Sequence, residues 1–228
     1  MWYLSKNQSR ALEKLSRDLI AKNGWIDQFA VTNRVLSEYY AQLSKWTLGK
    51  PDRYALRKEM VDTLVVLQHP INFLSISEQE LSDVALVGVG EKEAKIPRTY
   101  RRAAEIKDYV PTNGLQSELA AMADAVLDYQ RQTKGHEKGT KIQIYLAMEE
   151  LLELMRELSR HVRFQDTKNT TDCKEKKLAD NRTNIVEEIF DVLYTMRYVM
   201  IVQKINPKQI NQLAALRIKD VRDREMGS

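Results

Sequence analysis

Apolar residues recur along this chain at the three- and four-residue spacing of helices, and runs with the alternating spacing of strands are sparse. Leu12, Leu15, Leu19 and Ile20 predict an amphipathic helix over Asn7–Asn23, with Gly24 placed to stop it. A second helix is expected over about Ile26–Leu48, ended by Gly49. Asp52 can cap a third, over about Arg53–Leu74. Pro70 lacks the amide proton a helix interior needs, so it should kink that helix or end it early. Ser77 and Glu80 stand at capping-box spacing and open a short fourth helix.

The pattern then lapses from Gly88 to Gly114, where Gly88, Gly90, Pro97, Pro111 and Asn113-Gly114 punctuate the chain around a short helical stretch at Tyr100–Ile106. Helical spacing returns over Leu115–Thr133, and again over Thr140–Phe164 after Gly135 and Gly139. A polar loop over Gln165–Lys177 leads to a helix over Leu178–Lys204. Asn206 with Pro207 behind it is a cap followed by proline at the first helical position, and it opens a last helix ending near Arg224.

Two of these helices carry acids in apolar surroundings. The first has Glu149, Glu150 and Glu153; the second has Glu187, Glu188 and Asp191. Spacings of three place Glu150 with Glu153, and Glu188 with Asp191, on one helical face. One such cluster reads most simply as a solvated face, its acids paired with Arg156, Arg160 and Arg197. Two matched clusters on helices packed antiparallel would instead converge. Like charges about 4 Å apart repel by about 4 kcal/mol at an effective dielectric near 20. A surface ion pair returns only about 0–1 kcal/mol, so such a box calls for a cation. All-oxygen ligands suit Mg²⁺ or Mn²⁺ rather than zinc.

The first part of the chain echoes the second. Gln28–Lys45 aligns with Gln143–Arg160 at an offset of 115, which places Glu38 on Glu153. Lys58–Leu64 aligns with Glu187–Leu193 at an offset of 129, which places Glu59 on Glu188 and Asp62 on Asp191. That second offset carries on to Ile76 on Ile205 and to the cap Ser77 on the cap Asn206. Chance likeness between leucine-rich helices is the competing explanation; coinciding acids, caps and apolar positions favour a duplicated unit. The copies differ where chemistry would be: Val35 stands where Glu150 does, and Arg34 where Glu149 does. Glu38, Glu59 and Asp62 are therefore a candidate second site lacking one carboxylate.

Composition adds bounds. Few glycines and prolines suit long helices, and 30% charged residues with a mean hydropathy of −0.49 suit a water-exposed surface. A net charge of +4 is compatible with anionic substrates, but no Lys/Arg block is dense enough to point to nucleic acid. The single cysteine, Cys173, excludes an intrachain disulfide framework. Met1–Leu4 is too short an apolar start for a signal peptide, and the longest apolar stretch, Tyr198–Val202, is too short for a bilayer. The expectation is a cytoplasmic protein with no membrane partner. His69, His136 and His161 show no mutual ligand spacing.

The ordered pair Glu149-Glu150-Leu-Leu-Glu153 and Glu187-Glu188-Ile-Phe-Asp191-Val-Leu resembles the all-α nucleoside triphosphate pyrophosphohydrolases, the MazG-like group. The stretch Ile205-Asn206-Pro207 and the basic run after Leu216 look like that family's last helix, and the likeness covers about Lys141–Arg224. It implies an all-α helical bundle built from two pseudo-symmetric MazG-like repeats. Residues 1–87 would be a first, degenerate repeat, 88–114 a linker, and 115–228 an intact second repeat, the halves packed as one bundle. Family members usually assemble from paired units, so the implied state is a homodimer, or a monomer with an intrachain pseudo-dimer as in duplicated dUTPase-type enzymes.

The activity implied is Mg²⁺-dependent hydrolysis of a nucleoside triphosphate to monophosphate and pyrophosphate. Glu150, Glu153, Glu188 and Asp191 would hold the metal, with Glu149 or Glu153 accepting a proton from the attacking water. Lys141 and Gln143 could contact base or phosphate, and Lys219, Arg222 and Arg224 could hold the pyrophosphate. A basic helix end complementing its own dipole explains the last three equally well. Trp25, Tyr39, Tyr40 and Trp46 could stack on a base, although aromatics at helical spacing are more often core. Two rivals stand beside the enzyme: a duplicated helical-bundle binding protein with a decayed metal site, and a basic helical nucleic-acid binder.

Overall fold

The computed structural model describes residues 4–94, 129, 132–133, 135–166 and 171–227. Among them the fold is all-α, with no strand. Its helices are α1 (Lys6–Asn23), α2 (Trp25–Thr47), α3 (Arg53–Val66), α4 (Gln68–Phe73), α5 (Glu78–Ala94), α6 (His136–Asp166), α7 (Thr171–Val202) and α8 (Pro207–Met226). None of these helices is long and apolar enough to cross a membrane. The short helix expected at Tyr100–Ile106 and most of the one expected over Leu115–Thr133 fall outside the described residues.

The expected caps form. Gly24 takes φ 84° and donates to the Ile20 carbonyl, so α1 ends and α2 begins within one residue. Asp52 accepts from the amides of Tyr54 and Ala55, both at 3.0 Å, and Asn206 accepts from Lys208 at 2.9 Å. Ser77 accepts from the Glu80 amide at 3.1 Å, and the Ser77 backbone amide bonds the Glu80 carboxylate in return, as the expected box requires. The Glu80 carboxylate also takes both terminal nitrogens of Arg182 on α7. Another capping box forms earlier, between Ser5 and Gln8.

Pro70 acts as expected, and the consequence is local. A residue with an amide proton at position 70 would bond the Val66 carbonyl; without it the helix breaks at Leu67 into α3 and α4. The Thr32 hydroxyl on α2, which donates to the Gln28 carbonyl at 2.8 Å, also lies 3.3 Å from the freed Val66 carbonyl.

Two expectations about length are corrected. Gly88 and Gly90 do not end α5, which runs on to Ala94. At Gly88 the reason is packing: a Cβ there would lie 2.5 Å from Cε1 of the buried Phe190 ring, so glycine lets α5 lie close on α7. The polar loop expected over Gln165–Lys177 is mostly helix, because α6 extends to Asp166 and α7 starts at Thr171. Glu175, Lys176 and Lys177 are exposed residues of that long helix.

In the packing, α2 lies on α3, and α6 on α7. Then α8 packs on α3 while α5 packs on α7, and α2 meets α6 across the middle. The turns after α4 and α7 share one geometry at the offset of 129. Ser75 and Lys204 both take φ 53°. Ile76 donates to Ile71 at 2.9 Å and Ile205 to Met200 at 2.8 Å, the six-to-one bond of a Schellman turn. Both isoleucines are buried beside their carbonyl partners. The core runs through all of this, from Leu12, Leu15 and Leu19 through Leu36, Leu43, Met60 and Leu64 to Leu151, Leu154, Ile189 and Met196. Trp25, Phe29, Phe73 and His161 form an aromatic cluster joining α2, α4 and α6, with Trp25 stacked on Phe73 at 4.7 Å. Tyr39 is buried, and Tyr40 and Trp46 pack on the core, so these aromatics are core residues rather than an open stacking surface.

Gly88→Ala tests the close approach of α5 to α7. Helix propensity alone would gain about 1 kcal/mol, but overpacking against Phe190 should leave a net loss of about 1–3 kcal/mol. Urea denaturation should show that loss, and Phe190→Leu in the same chain should remove most of it.

Candidate functional site

The acidic helices α6 and α7 run antiparallel. His161 and Glu157 on α6 meet Asn181 on α7, and Glu153 and Glu150, further back along α6, meet Glu188, further on along α7. Ile144, Ala147, Leu151, Leu154 and Leu158 bury one stripe of α6. From Ile189 to Met200, α7 is buried on nearly every side. The packing of these stripes sets the side-by-side level of the two helices.

A buried polar network fixes that level. Glu157 is 1% exposed. Its carboxylate accepts from Arg156 Nε at 3.1 Å, Arg160 Nη1 at 2.6 Å and Asn181 Nδ2 at 2.9 Å. Asn181 also donates to the Glu157 carbonyl at 3.1 Å, and its Oδ1 lies 2.8 Å from His161 Nδ1. Burial pushes the Glu157 carboxyl up, but hydrogen bonds from Asn181 and Arg156 and the charge of Arg160 outweigh it and hold the group below its ordinary value. His161 is held below its ordinary value by burial, and Asn181 opposes this only in part.

One to two turns away, carboxylate oxygens of Glu150, Glu153 and Glu188 lie within 4.8 Å of one another, and all three residues are half-buried. The expected convergence therefore holds for three of the four acids. Asp191 stands one turn beyond Glu188 on α7, outside that group, though its charge is felt at Glu188. The Oε2 atom of Glu188 is buried and has no hydrogen-bond donor. Burial, then the charges of Glu153, Glu150 and Asp191, push the Glu188 carboxyl up to about 8; the Arg156 charge offsets this only partly.

The arginines of the simpler reading lie elsewhere. Arg156 and Arg160 bond Glu157 rather than the triad, and Arg197 Nε is buried with no hydrogen-bond partner. Other expected site residues divide. Glu149 is exposed, outside the group of three. Lys141 is half-buried, three turns before Glu153. Gln143 is fully buried, and neither its amide oxygen nor its nitrogen has a partner. Lys219 is exposed and bonds Asp223 at 2.7 Å, Arg222 is exposed, and Arg224 lies 3.7 Å from Glu225. The last helix thus spends two of its three expected phosphate-binding cations on its own acids.

The candidate second site is not assembled as expected. Glu38 is exposed, while Glu59 and Asp62 are buried and bonded by Lys58, with Arg217 also on Asp62. Residue typing found the acids but not the cations beside them. Glu157 was missed as well. Its signal was present, since Glu150, Glu153 and Glu157 continue one stripe at spacings of three and four.

Chemically, three oxygen donors of net negative charge, one with an unfilled lone-pair direction in a half-buried setting, fit a hard divalent cation. Each pair of ionised acids at about 4.8 Å costs about 3–4 kcal/mol at an effective dielectric near 20. Without a cation, a proton on Glu188 relieves part of that. Comparison of the chain with family models, with curated proteins and with solved structures gave no match.

The raised Glu188 value has a defined sign. The unfolded chain loses this proton near pH 4.5 and the native state near pH 8, so ionisation is resisted only in the native state. In the presence of chelator, the melting temperature should fall as pH rises from about 4.5 to about 8. Glu188→Gln should flatten that slope. A slope unchanged in the glutamine variant would place its origin elsewhere.

Proposed function

We propose that this protein hydrolyses a nucleoside triphosphate to the monophosphate and pyrophosphate in a divalent-cation-dependent reaction at the α6–α7 site. The observation that carries this reading is the convergence of Glu150, Glu153 and Glu188 from two helices with Glu188 Oε2 left without a donor. Glu150, Glu153 and Glu188 would hold Mg²⁺ or Mn²⁺, and Asp191 is placed one turn on to join them. When bound, the ion neutralises triphosphate charge and lowers the pKa of a coordinated water. Water oxygen adds to the α-phosphorus, the bond from that phosphorus to the bridging oxygen breaks, and pyrophosphate leaves. Glu153 belongs to the converging group, whereas Glu149 is exposed, so Glu153 is the better-placed acceptor for the proton the water gives up.

The buried and unpartnered amide of Gln143 lies two turns before Glu150 on α6, about 10 Å along the axis. That separation suits a group bonding the far part of a nucleotide whose phosphates sit at the acids. Lys141 stands half a turn further back. We also read the chain as a duplicated unit forming an intrachain pseudo-dimer. Supporting this are the shared turn geometry at Ser75 and Lys204, and the exchange of partners in which α8 packs on α3 and α5 on α7.

Pyrophosphate release from a panel of ribo- and deoxyribonucleoside triphosphates, with Mg²⁺ and with chelator, tests the activity. Turnover should require the ion, and Glu188→Gln should lower it by about 10²-fold or more while the fold remains intact by circular dichroism. An ion-induced rise in melting temperature with no turnover of any nucleotide would instead identify a binding protein.

A further inference from the structure

The offset of 129 sets two acidic pairs side by side: Glu188 with Asp191 on α7, and Glu59 with Asp62 on α3. Their surroundings differ in charge. Glu187 is exposed beside the first pair; its counterpart beside the second is Lys58. The Lys58 ammonium bonds Glu59 Oε1 at 2.9 Å and Asp62 Oδ2 at 3.1 Å. From α8, Arg217 Nε bonds Asp62 Oδ1 at 2.5 Å, and its Nη2 reaches Asp62 Oδ2 at 3.3 Å. The counterpart of Arg217 on α5 is Gly88, which has no side chain to offer.

Both oxygens of Asp62 are therefore taken by cations, and Glu59 Oε1 by one. Glu59 is 7% exposed and its Oε2 has no hydrogen-bond partner, as with Glu188 Oε2. The hydrogen bond from Glu59, joined by Asp62, outweighs burial and holds Lys58 above its ordinary value, so the ammonium stays charged. A cavity of about 260 Å³ opens beside this pair, walled by Tyr54, Val61, Leu213 and Leu216. Two side-chain cations stand among the acids here, Lys58 on Glu59 and Asp62 and Arg217 on Asp62 and, at 2.8 Å, Asp220, while carboxylate oxygens of three acids lie within 4.8 Å of one another at the other site.

We propose that Glu59 and Asp62 form a cation site filled by the chain itself. Lys58 and Arg217 take the place of a divalent ion, the ion pairs fasten α8 to α3, and α6–α7 keeps the one site for an exogenous ion. The count of one rests on the function proposed above; the self-filled pair does not.

Mn²⁺ titration of the full chain, followed by the free-ion electron paramagnetic resonance signal, tests the count. Wild type should bind one Mn²⁺, Glu188→Gln should lose it, and Glu59→Gln or Asp62→Asn should leave it at one. Adding Lys58→Gln and Arg217→Gln to the Glu188→Gln chain should tighten Mn²⁺ binding at least tenfold over that parent. A double-mutant cycle of Asp62→Asn and Arg217→Gln, read by urea denaturation, covers the case in which that chain fails to fold. It should give a coupling of about 5–50-fold in the unfolding constant. Loss of Mn²⁺ on Asp62→Asn, absent coupling, or a folded variant that binds no more Mn²⁺ than its parent would each overturn the proposal. If wild type binds no Mn²⁺, the function proposed above fails; the cycle and the Lys58/Arg217 variant still decide this one.

Discussion

The repulsion between carboxylates held together by two packed helices is the constraint around which this bundle is arranged. Burying a leucine or isoleucine contributes about 1.5–3 kcal/mol, and α6 and α7 bury many of them on the stripes that face inward. A few such residues exceed the cost of two or three crowded acids at about 3–4 kcal/mol per pair. The helices therefore stay together, and the acids must accommodate. They can do so by protonation, by an ion-paired partner or by a bound cation, and different parts of the molecule provide different answers.

Glu157 takes the ion-paired answer. Two arginines and an asparagine surround it, and the network ties α6 to α7 at a fixed level. Glu188 has no such partner and carries the load instead as a raised proton affinity. The difference lies in geometry. Arg156 and Arg160 flank Glu157 within one turn of the same helix, and once committed there they bond no member of the triad. Fastening the register one turn away thus leaves Glu188 Oε2 buried without a donor, with only a partial offset from the Arg156 charge.

The two halves of the chain carry the contrast further. They share a Schellman turn with the same backbone angle and reciprocal helix contacts, yet their acids meet different neighbours. Arg217 and Gly88 stand at matching positions of α8 and α5 and do opposite things. The arginine reaches down to Asp62, while the glycine lets α5 settle onto the Phe190 ring. Single residues thus set the charge at one pair of acids and the distance between one pair of helices.

Much of the helical layout was legible because helix periodicity and caps are local properties: Gly24, Asp52, Pro70 and Asn206 act through their own backbone and the next turn. The pairing of Glu150 and Glu153 with Glu188 was legible too, since repeated spacing on two amphipathic helices specifies which faces pack. Gly88 was misread as a stop, because a glycine needed for close approach looks the same in sequence as one needed for a turn. That Arg156 and Arg160 bond Glu157 was not legible for a similar reason: several acids lie within reach on one helix, and only packing decides which is buried enough to hold them. Sequence alone determined the helices, their polarity and the acids available to meet. The tertiary structure decided which carboxylates have cations and which do not. Charge balance depends on side chains brought from distant helices, and no spacing along one segment encodes it.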